Sequence, residues 1–136
     1  MSQENIEVVR RLTEAMVRGD PDSFVACCSP DVDWEENTAA FFGLRANYRG
    51  HEAIREWFQE AIVENWDAIS FEIEENVEAP DGRVLTGGVL TARGKGSGVQ
   101  TRRRFWFVVW VKNGKITRRQ VFLDRKEALE AAGLKE

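Results

Sequence analysis

The sequence contains Val99-Gln-Thr-Arg-Arg-Arg-Phe-Trp-Phe-Val-Val-Trp-Val111, then Lys112-Asn-Gly-Lys115, and then an alternating run from Ile116 to Leu123. Both long runs are rich in β-branched and aromatic residues, which favour strands. An Asn-Gly pair between two such runs is the strongest short-range signal for a β-hairpin. The stretch therefore predicts two long antiparallel strands joined by a tight turn.

The first of these strands is apolar on both faces. Alternate residues of a strand point to opposite sides, so Phe105 and Phe107 share one face, while Trp106, Val108 and Trp110 share the other. Large apolar groups on both sides imply that something packs on each. We expect a core or pocket on the first face. On the second face we expect another subunit, because so much exposed aromatic surface is costly for a monomer.

Size and composition indicate an ordinary globular protein. The chain has 136 residues, 43% of them hydrophobic and 31% charged, with a net charge of −4. We predict one domain spanning residues 1–136. The acidic balance argues against nucleic-acid binding, and no apolar run approaches the ~20 residues of a membrane span. The polar residues at the start do not resemble a signal sequence, so the expected location is the cytoplasm.

Metal and cofactor chemistry have little support in the sequence. Cys27 and Cys28 are adjacent, and neighbouring cysteines rarely form a bridge with each other. Their apolar setting predicts two small buried side chains, with a redox pair as the alternative. His51 is the only histidine, and no ligand spacing surrounds it. We therefore expect no metal and no cofactor.

Hydrophobic periodicity gives the order of the elements. An apolar stripe at helical spacing predicts a first helix ending near Gly19, and Asp20-Pro21 begins a short second helix. The remaining predicted elements are a strand at 32–36, a helix after Gly50, strands at 69–79 and 83–93, the hairpin strands, and a short helix at 126–132. This order predicts an α+β fold with three N-terminal helices, a curled antiparallel sheet and a short C-terminal helix.

The stretch from Asn37 to Tyr48 has no clear period but contains Phe41, Phe42 and Leu44. A long aromatic loop usually packs over something. It predicts either a lid at a pocket rim or a loop folded onto the core.

Five motifs occur along the chain: Arg18-Gly-Asp20-Pro-Asp-Ser-Phe24, Ser29-Pro-Asp31-Val-Asp-Trp34-Glu, Tyr48-Arg-Gly50-His-Glu-Ala53-Ile54, Asn113-Gly-Lys115-Ile and Leu123-Asp-Arg-Lys-Glu-Ala-Leu129. Together they resemble the SnoaL-like branch of the nuclear-transport-factor-2-like superfamily, which also contains ketosteroid isomerase, scytalone dehydratase and limonene epoxide hydrolase. The resemblance covers essentially the whole chain. It implies a cone-shaped, curved antiparallel sheet wrapped around three N-terminal helices, with a short C-terminal helix. It also implies an apolar pocket at the wide end and often a homodimer through the outer sheet face.

The resemblance also suggests catalytic residues. The aspartate base of ketosteroid isomerase matches Glu36, which keeps a carboxylate. Its two hydrogen-bond donors match Leu12 and Phe107, which cannot donate, so the resemblance argues against steroid isomerisation. SnoaL-like cyclases use a late aspartate, for which Asp124 is the candidate. Asp124 is one residue out of phase with the strand before it.

Strand phases carried over from the family predict the pocket wall. Arginine binds carboxylate and enolate oxygens through two parallel N–H groups. Arg103 and Arg119 therefore suit an anionic or carbonyl-bearing ligand, or else form an interior salt bridge with Glu36. His51 begins the third helix and suits either a structural role or a ligand contact at the rim. The predicted ligand-binding residues are Trp34, Trp57, Arg103, Phe105, Phe107, Arg119, Val121 and His51, with Leu85, Gly87, Val89 and Thr91 on the same face.

Three functions fit these expectations. The first is cyclase- or isomerase-type acid–base chemistry on a small hydrophobic carbonyl compound, favoured by an isolated Glu36. The second is non-catalytic binding in the same pocket, favoured by Glu36 in a bidentate pair with arginine, since pairing weakens a base. The third is a dimeric interaction module whose vestigial pocket is filled by Trp34, Phe105 and Phe107.

Overall fold

The computed structural model describes residues 2–36 and 46–135. Its helices are α1 (Ser2–Arg18), α2 (Pro21–Ala26), α3 (Gly50–Trp57), which a π-helical segment (Phe58–Val63) continues, and α4 (Arg125–Ala132). Its strands are β1 (Cys28–Glu35), β2 (Asn47–Arg49), β3 (Trp66–Glu78), β4 (Val84–Gly94), β5 (Gln100–Lys112) and β6 (Lys115–Phe122). The strands form one curved, open sheet in the order β2-β1-β6-β5-β4-β3. None of the helices so described is long and apolar enough to cross a membrane.

The predicted hairpin is confirmed. β5 and β6 pair antiparallel from Trp106 opposite Phe122 to Lys112 opposite Lys115. Asn113 and Gly114 both have positive φ angles, 53° and 75°. Two successive positive φ angles are what a tight turn matched to the right-handed strand twist requires, and Asn-Gly adopts them at low cost.

The sheet is mixed, which corrects the prediction that it is antiparallel throughout. β1 pairs antiparallel with β2 but parallel with β6, where Trp34 lies opposite Arg119. Parallel neighbours need a long crossover connection. Here everything between β1 and β6 forms that connection, so no local turn signal in the sequence could identify the partner of β1.

The inner face of the sheet packs against α1, α2 and α3, as predicted. The central contacts come from aromatic rings. Phe24 of α2 lies 5.4 Å from Trp34 and 5.6 Å from Trp57, measured between ring centroids. Buried residues of this core include Val8, Val9, Leu12 and Ala15 of α1, Ile54 of α3, and Val84, Phe107, Val109, Ile116 and Val121 of the sheet.

The outer face is partly covered by the chain itself. Leu129 of α4 packs in one cluster with Leu85 and Val108. Leu85 and Val108 are completely buried. Trp106 and Trp110 pack against the same cluster and are half-buried. A homodimer through this face stays a prediction, although α4 removes part of the exposed aromatic surface that motivated it.

The predicted phase of β4 is wrong. Residues directly opposite each other in an antiparallel pair share a face. Gly88 lies opposite Phe105, so the even-numbered residues of β4 point inward. Leu85 and Gly87 therefore point outward. A Cβ at Gly87 would overlap the Trp106 indole, so this glycine makes room for an outer-face tryptophan and does not enlarge the pocket.

The aromatic stretch predicted as a lid or loop lies partly outside the described residues, since the structure describes nothing between 36 and 46. Its end forms β2, a three-residue strand where a loop was expected. Tyr48 in β2 is buried, and its hydroxyl donates to Glu60 Oε1 at 3.0 Å.

The packing of α4 on the outer face can be tested by substitution. Leu129→Ala should lower the free energy of unfolding by about 2–5 kcal/mol, because it removes a buried side chain and leaves a cavity under α4. Urea denaturation measures this loss. Glu130→Ala, an exposed neighbour on the same helix, should change stability by less than about 0.5 kcal/mol. Equal effects of the two substitutions would show that α4 does not pack as described.

Candidate functional site

A cavity of about 90 Å³ lies between the helices and the inner face of the sheet. Its walls are mainly aromatic and aliphatic. Of the described residues that line it, two carry ionisable side chains, Glu36 and Arg119. The lining residues are Leu12, Thr13, Met16, Phe24, Trp34, Glu36, Trp57, Ala61, Ile62, Trp66, Ile69, Phe71, Leu90, Phe105, Phe107, Arg119, Val121 and Leu123.

Glu36 directly follows the last residue of β1 and is only 3% exposed. Trp57 Nε1 donates a hydrogen bond to its Oε2 at 3.0 Å. Arg119 Nη1 reaches the same oxygen at 3.3 Å. Charge-assisted N–H···O bonds are usually about 2.7–2.9 Å long. The ion pair is therefore a single, rather long contact and not the bidentate fork that arginine forms at its best.

Arg119 projects from β6, directly opposite Trp34 of β1, and is 7% exposed. Its guanidinium carbon lies 4.6 Å from the Trp34 ring centroid and 5.4 Å from that of Trp57. Its Nη1 also donates to the Glu35 carbonyl oxygen at 3.1 Å. Indole faces attract cations, and the attraction grows when water is excluded. The two tryptophans and this carbonyl thus compensate a buried positive charge.

A second carboxylate–arginine pair lies on the other face of the same strands. Arg118 Nε donates to Glu35 Oε2, and Gln120 Nε2 donates to Glu35 Oε1 at 3.1 Å. The Arg118 side chain is 42% exposed, in contrast to 9% for Arg119. Because adjacent strand residues alternate in direction, Glu35–Arg118 lies outside and Glu36–Arg119 inside. The outer pair is a natural control for the inner one.

One part of the cavity wall is a cluster of three phenylalanines. The ring centroid of Phe71 lies 5.4 Å from that of Phe105 and 5.9 Å from that of Phe107. Aromatic pairs at such distances add to the energy gained by burial alone. The cavity therefore combines a polar corner, formed by Glu36 and Arg119, with an apolar aromatic wall.

A family model described as the SnoaL-like domain matches residues 9–119. The chain belongs to the SnoaL-like family. The predicted resemblance is thereby confirmed. A sequence comparison with the curated proteins gives no significant match.

Solved structures show the same fold at low sequence identity. An NTF2-like protein of unknown function from Burkholderia pseudomallei has a TM-score of 0.77 and 21% identity, over 93% of this chain and 95% of its own. TerC, crystallised with polyporic acid, has a TM-score of 0.76 and 21% identity, over 96% and 98%. A putative polyketide cyclase from Xanthomonas campestris has a TM-score of 0.71 and 20% identity, over 96% and 98%. These similarities establish the fold, not an activity.

The structure brings most of the predicted site residues of this SnoaL-like protein together. The predicted residues that line the cavity are Trp34, Glu36, Trp57, Phe105, Phe107, Arg119 and Val121. Leu12 and Phe107, which match the hydrogen-bond donors of ketosteroid isomerase, also line it. Neither side chain can donate, so any donor to a ligand oxygen must come from elsewhere in the wall.

Three predicted residues lie elsewhere. Asp124 is exposed and accepts a hydrogen bond from the Lys126 backbone N–H at 3.3 Å, so it caps the first turn of α4. His51 Nε2 lies 2.9 Å from the Cys28 carbonyl oxygen, a structural contact between α3 and β1. Arg103 is half-buried opposite Leu90 and is not among the described residues that line the cavity.

Sequence reasoning missed part of the wall. Trp66, Ile69, Phe71 and Leu90 were not predicted as site residues, although the alternation of β3 placed Ile69 and Phe71 on one face. The π-helical segment after Trp57 was also missed. It brings Ala61 and Ile62 to the cavity together with Trp57. Such a segment has no simple sequence signature, and π-helical turns often occur at functional sites.

Metal and thiol chemistry find no support in the described part of the chain. Within it, no group of three or more His, Cys, Asp or Glu side chains is arranged to hold a metal ion. Cys27 and Cys28 are both free and buried. Burial raises the pKa of Cys27, and it raises the pKa of Cys28 to about 12. Both thiols are therefore protonated, and thus poor nucleophiles, at neutral pH.

This protonation state can be tested by thiol labelling. At pH 8, Cys28 in the folded protein should react with a disulfide reagent far more slowly than in urea, because little thiolate forms below its raised pKa. The Cys27→Ala variant isolates the Cys28 signal. Labelling at the rate of an exposed cysteine would contradict the burial described.

A second prediction concerns the ion pair. Arg119→Leu should destabilise the protein by about 3–5 kcal/mol, because it removes the cation beside a buried carboxylate. Arg118→Leu should cost no more than about 1 kcal/mol, since its pair is partly exposed. Urea denaturation of both variants measures the difference. The double variant Glu36→Gln/Arg119→Leu should regain part of the loss, and equal losses in the two arginine variants would contradict the assignment of faces.

Proposed function

We propose that the cavity binds a small, largely apolar carbonyl compound, and that Glu36 and Arg119 carry out isomerase- or cyclase-type acid–base chemistry on it. The observation that carries the proposal is a carboxylate and a guanidinium in contact on the wall of an otherwise apolar cavity. Ligand sites typically combine an apolar lining with a few convergent polar groups. The two ionic groups supply the base and the cation that this chemistry needs.

The size of the cavity limits the ligand. An apolar cavity of roughly 150 Å³ holds benzene, and this cavity measures about 90 Å³ between the described residues. The described residues therefore bury at most about one ring of the ligand, and the rest of a two-ring ligand extends beyond this cavity. The apolar edge of the buried part would contact Phe71, Phe105 and Phe107, and the ligand oxygen would face Arg119.

The proposed step is a proton transfer. Glu36 removes a proton from the carbon next to the carbonyl, and the electron pair moves onto the carbonyl oxygen to give an enolate. Arg119 stabilises the negative charge that develops on this oxygen. In a ketone with a C=C double bond next to that carbon, Glu36 returns the proton at the far end of the double bond, which isomerises the compound. In a compound with a second carbonyl group, the enolate carbon attacks that group to close a ring, and Glu36 gives its proton to the alkoxide that forms.

The geometry of the pair suits this step. A bidentate fork would hold Glu36 firmly ionised and weaken it as a base, whereas the observed pair has one contact of 3.3 Å between the two side chains. A ligand oxygen that takes over the Arg119 N–H would loosen the pair and strengthen the base. Glu36 keeps its hydrogen bond from Trp57 Nε1, which would hold its position.

Non-catalytic binding in the same cavity is the second candidate. The observation in its favour is that Glu36 already contacts both Arg119 and Trp57, so it is not the isolated carboxylate expected of a strong base. Two structural neighbours, TerC with polyporic acid and a putative polyketide cyclase, are compatible with either candidate. A vestigial pocket fits less well, because Trp34, Phe105 and Phe107 line open space and do not fill it.

The two candidates are separated by hydrogen exchange at carbon. 2-Indanone carries acidic C–H groups next to a ketone, and NMR in D₂O measures the loss of their signals. Wild-type protein should accelerate this exchange. Glu36→Gln should reduce the acceleration by about 10²–10⁴-fold, the usual contribution of a general base.

Glu35→Gln is the matched control, because it makes the same charge change on the opposite face of the same strand. It should retain the wild-type rate of exchange. Binding of 2-indanone without any acceleration would favour the non-catalytic candidate. Equal exchange in the Glu36→Gln and wild-type proteins would remove Glu36 from the mechanism.

A further inference from the structure

The indole nitrogen of Trp34 is a buried donor without a hydrogen-bond partner among the described residues. Trp34 is 2% exposed and lines the cavity. Buried polar groups are almost always hydrogen-bonded, so each exception requires an explanation. Two other tryptophans follow the usual rule, since Trp57 Nε1 donates to Glu36 and Trp106 Nε1 donates to Glu75, each at 3.0 Å.

Packing fixes the Trp34 ring in place. Phe24 and Trp57 approach it edge-on, with ring centroids 5.4 Å and 5.1 Å away and interplanar angles of 66° and 60°. Arg119 covers it, with the guanidinium carbon 4.6 Å from the ring centroid. A ring held in this way cannot turn freely to find another acceptor. Its N–H group is therefore preorganised.

An indole N–H can only donate, so its missing partner must be an acceptor. Arg119, whose guanidinium carbon lies 4.6 Å from the Trp34 ring centroid, is also a donor. The family positions that supply donors in ketosteroid isomerase hold Leu12 and Phe107, which have none. Trp34 and Arg119 are thus the candidate donors to a ligand oxygen.

We propose that Trp34 Nε1–H donates a hydrogen bond to the carbonyl oxygen of the ligand, and to the enolate oxygen that forms from it, beside Arg119. This inference rests on the proposed function and refines it, because it names the acceptor that the polar corner recognises. The ligand class is a ketone or a similar compound whose oxygen only accepts. A hydrocarbon of the same shape leaves the Trp34 donor unsatisfied and binds more weakly.

The test compares 2-indanone with indane, which has the same rings and no oxygen. NMR on wild-type protein labelled at the indole nitrogens follows the Trp34 Nε1–H signal, and the methyl signals of Ile69 report occupancy of the cavity. We expect 2-indanone to move the Trp34 N–H proton downfield and indane to leave it near its position in the free protein. We also expect 2-indanone to bind about tenfold more tightly, the worth of one buried hydrogen bond.

A second measurement removes the donor without changing the shape. Site-specific replacement of Trp34 by 3-benzothienylalanine substitutes sulfur for the N–H group and should reduce the preference for 2-indanone to the part that Arg119 supplies. The same replacement at Trp110, on the outer face, is the control and should retain the preference. The NMR comparison uses wild-type protein, so it remains decisive if the substituted protein does not fold.

The outcomes separate this inference from the proposed function. If 2-indanone shifts the Ile69 methyl signals but moves the Trp34 N–H no more than indane does, the assignment of Trp34 is overturned while the cavity remains a ligand site. If the preference for 2-indanone is as large in the benzothienylalanine protein as in the wild type, the assignment is also overturned. If neither probe shifts the Ile69 signals, the proposed function fails and this inference fails with it.

Discussion

The buried ion pair between Glu36 and Arg119 constrains the structure around it. Removing two charges from water costs several kcal/mol per ion, and their mutual attraction offsets this cost only when further contacts satisfy both groups. Trp57 N–H supplies such a contact to the carboxylate, and the Glu35 carbonyl supplies one to the guanidinium. The faces of Trp34 and Trp57 supply the rest. Well-packed apolar residues of similar volume would often be as stable, so stability alone does not explain an ion pair in this position.

Contacts on the outer face of the sheet fix the direction of the side chains that line the cavity on the inner face. Glu75 of β3 accepts hydrogen bonds from Trp106 of β5 and from both Arg125 Nε and Nη2 at the start of α4. These hydrogen bonds hold the pKa of Glu75 below its usual value, and those from Arg125 contribute most. Gly87 leaves the space that the Trp106 indole occupies. Because strand residues alternate, fixing Trp106 on the outside also fixes Phe105 and Phe107 on the inside.

Local signals predicted much of this arrangement. The Asn113-Gly114 turn predicted the pairing of β5 with β6, and strand phases carried over from the family predicted that Phe107, Arg119 and Val121 share a face. The turn alone would not place them together, because the register shifts by one residue between Trp110 and Val111, and this bulge brings Phe107 opposite Val121. The phase of β4 could not be predicted in the same way, because the connection at 94–99 contains several glycines and does not specify which residues lie opposite each other. The π-helical segment is decided by tertiary packing, which leaves no trace in sequence periodicity. Asp124 is one residue out of phase with the strand before it, and its role as the cap of α4 explains why it does not line the cavity.

The charge balance of the cavity bears on the kind of reaction it suits. Among the described lining residues, one carboxylate faces one guanidinium, so the site is neutral as a whole. A ligand that already carries a negative charge would compete with Glu36 for Arg119 and be repelled by Glu36. A neutral ketone meets no such repulsion, and in the proposed reaction the proton it loses neutralises Glu36 as its own oxygen becomes negative. Arg119 then attracts the ligand more strongly than before. Catalysis depends on interactions that are stronger in the transition state than in the ground state. In the proposed reaction, the attraction between Arg119 and the ligand oxygen is such an interaction, because it grows as that oxygen becomes negative.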